Sequence, residues 1–115
     1  MLDYTVVATT FNDSSEISKY LECICNQTIL PKEIIIADGG SKDETVSICK
    51  NFCAPNNVRI TVLQGGRLNI SQGYNLAIKN TKTEYVGVTG VGNVYMPDYF
   101  EKLLIYASKY DVVYS

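Results

Sequence analysis

The sequence contains no histidine among its 115 residues. A Ser-His-Asp or Cys-His nucleophile system cannot be assembled from this chain alone, and neither can a histidine-based metal site. Long hydrophobic runs are missing too. The longest uncharged stretch, Tyr85 to Pro97, is 13 residues, well short of the roughly 20 that span a bilayer. No basic segment precedes an apolar run at the amino terminus, which carries Asp3, so no secretory signal is read there. Nor is there a basic face: the net charge is −2 and charges of both signs are interspersed, which argues against nucleic-acid binding. A cytoplasmic chain without a transmembrane segment is expected, with peripheral membrane attachment of a full-length protein left open.

The four cysteines, Cys23, Cys25, Cys49 and Cys53, form no Cys-x-x-Cys. Free, mostly buried thiols in a reducing compartment are expected. The Asn-x-Ser/Thr sequons at Asn12, Asn26 and Asn69 are then chance matches.

What is present is an ordinary globular composition, 46% hydrophobic and 19% charged, on a chain long enough for one domain. Apolar segments of two periods alternate along it. Strands are predicted at 4–10, 33–38, 58–63 and 84–90, and "DVVYS" at 111–115 starts a fifth. Between them, Asp13 with Glu16 reads as a capping box for a helix carrying Ile17, Tyr20, Leu21 and Ile24. Asp43 reads as the cap of a helix with Val46, Cys49, Phe52 and Cys53 on one side. A third helix is predicted at 71–80, and Pro97 opens a fourth with Phe100, Leu103, Leu104 and Ala107. This alternation predicts an α/β, Rossmann-like fold with a mostly parallel sheet and helices on both faces. Residues 1–115 are expected to be a single domain and, because the chain ends on a strand, a piece of a longer protein.

Ligands to such a sheet bind beyond the carboxyl ends of the strands. Four loops lie there: "TTFND", "ADGGSKDET", "QGGRLNISQGYN" and "TGVGNVYMPD". Asp38 ends an Ile-rich strand, where a carboxylate must find a donor or stay wet. Gly39 and Gly40 let the backbone turn tightly and a ligand come close. A plain strand–turn–helix connection remains the alternative. The first loop lacks Gly-x-Gly-x-x-Gly, which argues against a dinucleotide-binding domain, and it lacks a Walker A lysine, which excludes a P-loop enzyme.

Taken in order, these loops resemble family 2 glycosyltransferases. Thr9, Thr10, Phe11 and Asn12 stand where that family usually has Pro-Thr-Tyr-Asn. The run from Gln27, Thr28, Pro31 and Glu33 through Asp38, Gly39, Gly40, Ser41, Asp43 and Thr45 is similar to its Gln-Thr-x-x-Pro and Asp-Gly-Gly-Ser-x-Asp-x-Thr stretches. "NISQGYNLAI" resembles its third-loop helix, with Gly73 and Asn75 in place, and "YMPD" resembles the segment after its metal motif.

The resemblance implies the nucleotide-sugar-binding half of a GT-A fold. Its donor, a UDP-sugar, would lie against Thr9, Thr10, Phe11, Asn12, Asp38, Gly39, Gly40, Ser41, Arg67, Gly73, Tyr74, Asn75, Gly90 and Gly92. Asp38 would accept a hydrogen bond from a uracil N–H, since an ionised carboxylate only accepts. An acceptor hydroxyl, on a saccharide or a lipid-linked saccharide in polysaccharide biosynthesis, would attack the anomeric carbon with inversion after losing its proton to a carboxylate base. That base, unassigned here, and the acceptor half are expected beyond residue 115.

Two departures stand out. The family's Asp-x-Asp, which holds Mg²⁺ or Mn²⁺ against the diphosphate, is replaced by Gly90, Val91 and Gly92, so no metal ligand is assigned and no metal cofactor is expected. Tyr74 stands where the family often has arginine. Both departures suit an alternative, a non-catalytic nucleotide-sugar-binding or partner subunit of the same fold. A receiver-type signalling domain fails because the third strand ends in Leu63-Gln64-Gly65, without the aspartate it needs.

Overall fold

The computed structural model describes residues 3–107. Strands β1 (Tyr4–Thr10), β2 (Glu33–Asp38), β3 (Arg59–Gln64) and β4 (Tyr85–Val88) alternate with helices α1 (Ile17–Cys25), α2 (Thr45–Asn51), α3 (Ile70–Lys79) and α4 (Tyr99–Ala107). The strands form one sheet in the order β3-β2-β1-β4, and every pairing is parallel. β1 and β2 are central and nearly continuous in apolar residues, as strands covered on both faces must be. Thr10, Asp38 and Gln64 stand side by side at the carboxyl edge. The expected fifth strand at 111–115 lies outside the described residues.

Strand alternation divides the core in two. Val6, Ala8, Ile34 and Ile36 pack with Ile17, Tyr20, Leu21 and Ile24 of α1, Cys49 of α2 and Phe100 of α4. Val7, Ile35 and Ala37 pack with Ala77 of α3 on the other face. Helices thus cover both faces, three against one.

Two glycines set how closely the layers approach. A Cβ on Gly73 would come within 2.6 Å of Thr9 Cγ2, so α3 lies directly on the end of β1. A Cβ on Gly87 would come within 2.6 Å of the Phe100 ring, which fills that space instead.

Several local expectations are corrected. Asp13 and Glu16 form no capping box: Glu16 is the N-cap of α1, without a side-chain cap. The Asp13 carboxylate turns back to accept from Thr10 Oγ1 (2.7 Å) and the Phe11 N–H (3.2 Å). The true capping box is Asn69 with Gln72 at the start of α3. Asn69→Ala is expected to cost about 1 kcal/mol of stability, read as a lower urea midpoint at unchanged m-value. At α2, Glu44 is the N-cap and Asp43 sits one residue earlier, its carboxylate accepting from the Thr45 N–H at 3.0 Å. Helix α2 ends at Asn51, so Phe52 is its C-cap and Cys53 lies beyond it, exposed. Of the four free thiols only Cys49 is fully buried. β4 stops at Val88 rather than residue 90, because a turn closed by the Asn93 N–H on the Gly90 carbonyl (3.2 Å) takes over.

Gln27 and Thr28 serve the scaffold. The buried Gln27 side chain donates to the Met96 carbonyl (2.7 Å) and accepts from the Phe100 N–H (3.2 Å). The Thr28 N–H donates to the Pro97 carbonyl (2.7 Å). The end of α1 is thereby tied to the start of α4. No described helix is long and apolar enough to cross a membrane.

Candidate functional site

The loops after β1 and β2 are stitched together at the carboxyl edge. The Gly39 N–H donates to the Thr10 carbonyl (2.9 Å). Asn12 N–H donates to Ser41 Oγ (2.8 Å), and Lys42 N–H returns a bond to Asn12 Oδ1 (2.9 Å). Asn12 does this from the left-handed region, at φ 52°, which asparagine enters more readily than most residues. Ser14 N–H donates to the Asp43 carboxylate (3.2 Å). These hydrogen bonds, the Thr45 hydroxyl first, hold the Asp43 carboxyl down to about 2. A folded value below the ordinary one means the brace is whole above about pH 4 and loosens as pH falls towards 2.

Asp38 is only 2% exposed. Its Oδ2 accepts from the Gly40 N–H (3.1 Å) and the Ser41 N–H (3.0 Å), while its Oδ1 is buried and has no partner among the described residues. Gly40 reaches this geometry at φ +100°, where a side chain would be strained. Beneath, the Cys49 thiol is pushed up to about 11, by burial first and then by the Asp38 carboxylate, so it stays protonated at neutral pH. A buried carboxylate oxygen without a donor is costly.

At the carboxyl edge opens a cavity of about 220 Å³, lined by Thr9, Thr10, Phe11, Asp13, Ala37, Gly39, Leu68, Asn69, Ile70 and Gly73; Asp38 stands between two of these residues without lining it itself. Five of the expected site residues therefore meet here: Thr9, Thr10, Phe11, Gly39 and Gly73. Phe11 and Ile70 are 59% and 70% exposed, apolar side chains standing in water at the mouth. The sequence reading missed Asp13 and Ala37 and, from the third loop, Leu68, Asn69 and Ile70. The signal was available, since the Asn69–Gln72 box starts α3 at Ile70 and so brings these three residues to the loop's end. Asn12, Gly40 and Ser41 act in the loops around it. Arg67 and Asn75 are exposed and do not line it. A larger cavity of about 360 Å³ lies at the amino end of the strands, between Thr5, Glu33 and Arg59, away from these loops.

Gly90 and Gly92 belong to a different feature, the turn after β4. Buried Thr89 anchors it: its N–H and its hydroxyl each donate to the Val7 carbonyl at 2.9 Å. With its own hydrogen so used, Thr89 Oγ1 accepts from the Tyr20 hydroxyl, whose phenol is pushed above its usual range by burial. Tyr74 does not face the cavity; its hydroxyl donates to the Thr89 carbonyl at 2.6 Å. The Gly90 N–H donates to the Tyr95 hydroxyl at 2.9 Å. Three tyrosines from three different segments thus hold one turn.

The architecture is that of a Rossmann-like α/β domain whose loop cluster lies beside the point where strand order reverses, between β1 and β4. Within that class the chain belongs to glycosyl transferase family 2, whose model matches residues 5–115. The O-antigen chain rhamnosyltransferase RfbN of Salmonella typhimurium is 34% identical over 77 residues, 67% of this chain and 24% of that protein. S. aureus TarS 1-349 superposes with a TM-score of 0.81 over 94% of this chain and 33% of that one, at 19% identity, and has also been solved with UDP-GlcNAc. Mannosyltransferase PcManGT from Pyrobaculum calidifontis, solved with GDP-Man and Mn²⁺, gives a TM-score of 0.72 over 80% of this chain and 28% of that one, at 23% identity. The chain thus spans about a quarter to a third of the length of these proteins. The Rossmann-like GT-A half expected from the resemblance is the fold found.

Proposed function

We propose that this chain is the donor-binding part of a glycosyltransferase that moves a sugar from a UDP-sugar to an acceptor hydroxyl, with inversion at the anomeric carbon. The observation that carries this reading is the Asp38 carboxylate at the end of β2, one oxygen held by two backbone N–H groups and the other buried without a donor among the described residues, between Ala37 and Gly39 of the cavity wall. A carboxylate only accepts, so it selects a base edge that donates, and uracil N3–H is such an edge. Thr9, Phe11 and Gly73 then surround the nucleoside. The UDP-GlcNAc bound by TarS supports a uridine donor. Four free thiols suit a reducing compartment, in keeping with a cytoplasmic location. The catalytic base is assigned to none of the described residues, and the acceptor is left as a saccharide or lipid-linked saccharide hydroxyl.

Calorimetric titration with UDP and CDP, alongside amide NMR spectra, tests this directly. UDP is expected to bind more tightly than CDP and to shift the Thr9, Phe11 and Gly39 amides. Failure of UDP to bind, or shifts confined to the amino-end cavity at Thr5 and Arg59, would remove the proposal.

A further inference from the structure

Members of this fold can hold a divalent ion against the donor, as PcManGT was solved with Mn²⁺. The groups of this chain do not fit such an ion. The turn after β4 carries Gly90, Val91 and Gly92, with no carboxylate among them. Among the described residues no group of three or more Cys, Asp or Glu side chains is placed to hold a metal. Asp98, the next carboxylate along the chain, is paired with Lys102 at 3.2 Å. Three of the neutral oxygens that remain are already accepting. The Thr89 carbonyl takes the Tyr74 hydroxyl, Thr89 Oγ1 takes Tyr20, and the Gly90 carbonyl takes the Asn93 N–H. Each of those bonds points a hydrogen, the positive end of a dipole, at the oxygen a cation would need. Hard cations want anionic oxygen, and Mg²⁺ also gives up its water reluctantly.

We infer that the Thr89–Asn93 turn is braced by tyrosine hydroxyls and holds no divalent ion, so that nucleoside diphosphate binding by this chain does not depend on divalent metal. Tyr74 is the central residue of the brace, a neutral strut tying α3 to the turn 15 residues on. Asn93, exposed in the turn, adds a neutral amide. The inference rests on the donor-binding reading for its ligand but not for its geometry, so the two are tested separately.

The geometry is tested with Mn²⁺ alone. Paramagnetic broadening of amide signals is followed as Mn²⁺ is added to the chain, and the Thr89–Asn93 amides are expected to broaden no more than the rest. Selective loss of those signals would overturn the inference even if UDP never bound. The ligand arm is calorimetry with UDP in EDTA and in Mn²⁺. Affinities within about twofold of each other support the inference, and a gain of about tenfold or more in Mn²⁺ overturns it. Absence of UDP binding in both buffers would defeat the donor-binding reading, while the broadening experiment would still decide the metal question. The double variant G90D/G92D serves as the converse. A Cβ at 92 meets open space, and one at 90 meets only the end of the Asn93 side chain, at 2.9 Å. This variant is expected to show Mn²⁺ broadening confined to the turn; if it does not, missing carboxylates are not what keeps metal out, and the inference falls.

Discussion

Asp38→Asn is expected to lower the affinity for UDP about 10- to 150-fold, the equivalent of 1.5–3 kcal/mol for a hydrogen bond to a charged group. The asparagine carbonyl can keep the Gly40 and Ser41 N–H bonds that Asp38 Oδ2 now accepts. Its NH₂ then replaces the buried Oδ1 that has no partner among the described residues. A donor would face the uracil N–H where an acceptor stood, and binding is lost without loss of the turn. The unfolding midpoint is therefore expected to be no lower than that of the parent, since no buried charge remains to be compensated. Cytosine presents an acceptor at the ring position where uracil presents a donor, so the ratio of CDP to UDP affinity is expected to rise. Calorimetry with both nucleotides reads these effects together. An unchanged UDP affinity would take Asp38 out of the site.

The second large effect concerns the scaffold that carries the turn after β4. Phe100→Ala is expected to destabilise the domain by about 3–5 kcal/mol, against a total of about 5–15 kcal/mol for a typical domain. Phe100 is 3% exposed. Its ring stacks on Tyr4 at 5.0 Å, meets Tyr99 edge-on at 4.9 Å and lies 6.1 Å from Tyr95. It also occupies the space above Gly87, where a Cβ would approach to 2.6 Å. The two positions should therefore couple. Gly87→Ala is expected to destabilise the parent through overpacking, and to cost little or even help in the Phe100→Ala background, where it meets a cavity. Urea unfolding of the four proteins measures the cycle. Strict additivity would show that the ring and Gly87 do not share that space.

The alternation of elements was legible because hydrophobic period is a local property. "YTVVATT" and "EIIIAD" are mostly apolar on both faces and so read as buried strands, and Ile17, Tyr20, Leu21 and Ile24 at helical spacing form one apolar face and so read as a helix packed on them. Capping was less legible. Asp13-x-x-Glu16 and Asn69-x-x-Gln72 are equivalent patterns on paper, yet only the second is a capping box. Asp13 finds Thr10 Oγ1 and the Phe11 N–H nearer than the helix amides, a competition that depends on how the chain leaves β1.

The chain's order of residues thus determined by itself the parallel α/β architecture, Asp38 at a strand end, and a turn after β4 with no carboxylate in it. Only the tertiary structure decided which loop residues meet. Asn12 and Ser41 brace one another, Leu68, Asn69 and Ile70 arrive from the third loop to line the cavity, and Tyr74 swings to Thr89 instead of the cavity. The physical reason is range. Periodicity and end-of-strand position follow from neighbours in sequence, whereas the partner of a hydroxyl or a carboxylate is chosen among groups that the sheet order β3-β2-β1-β4 brings together from distant parts of the chain.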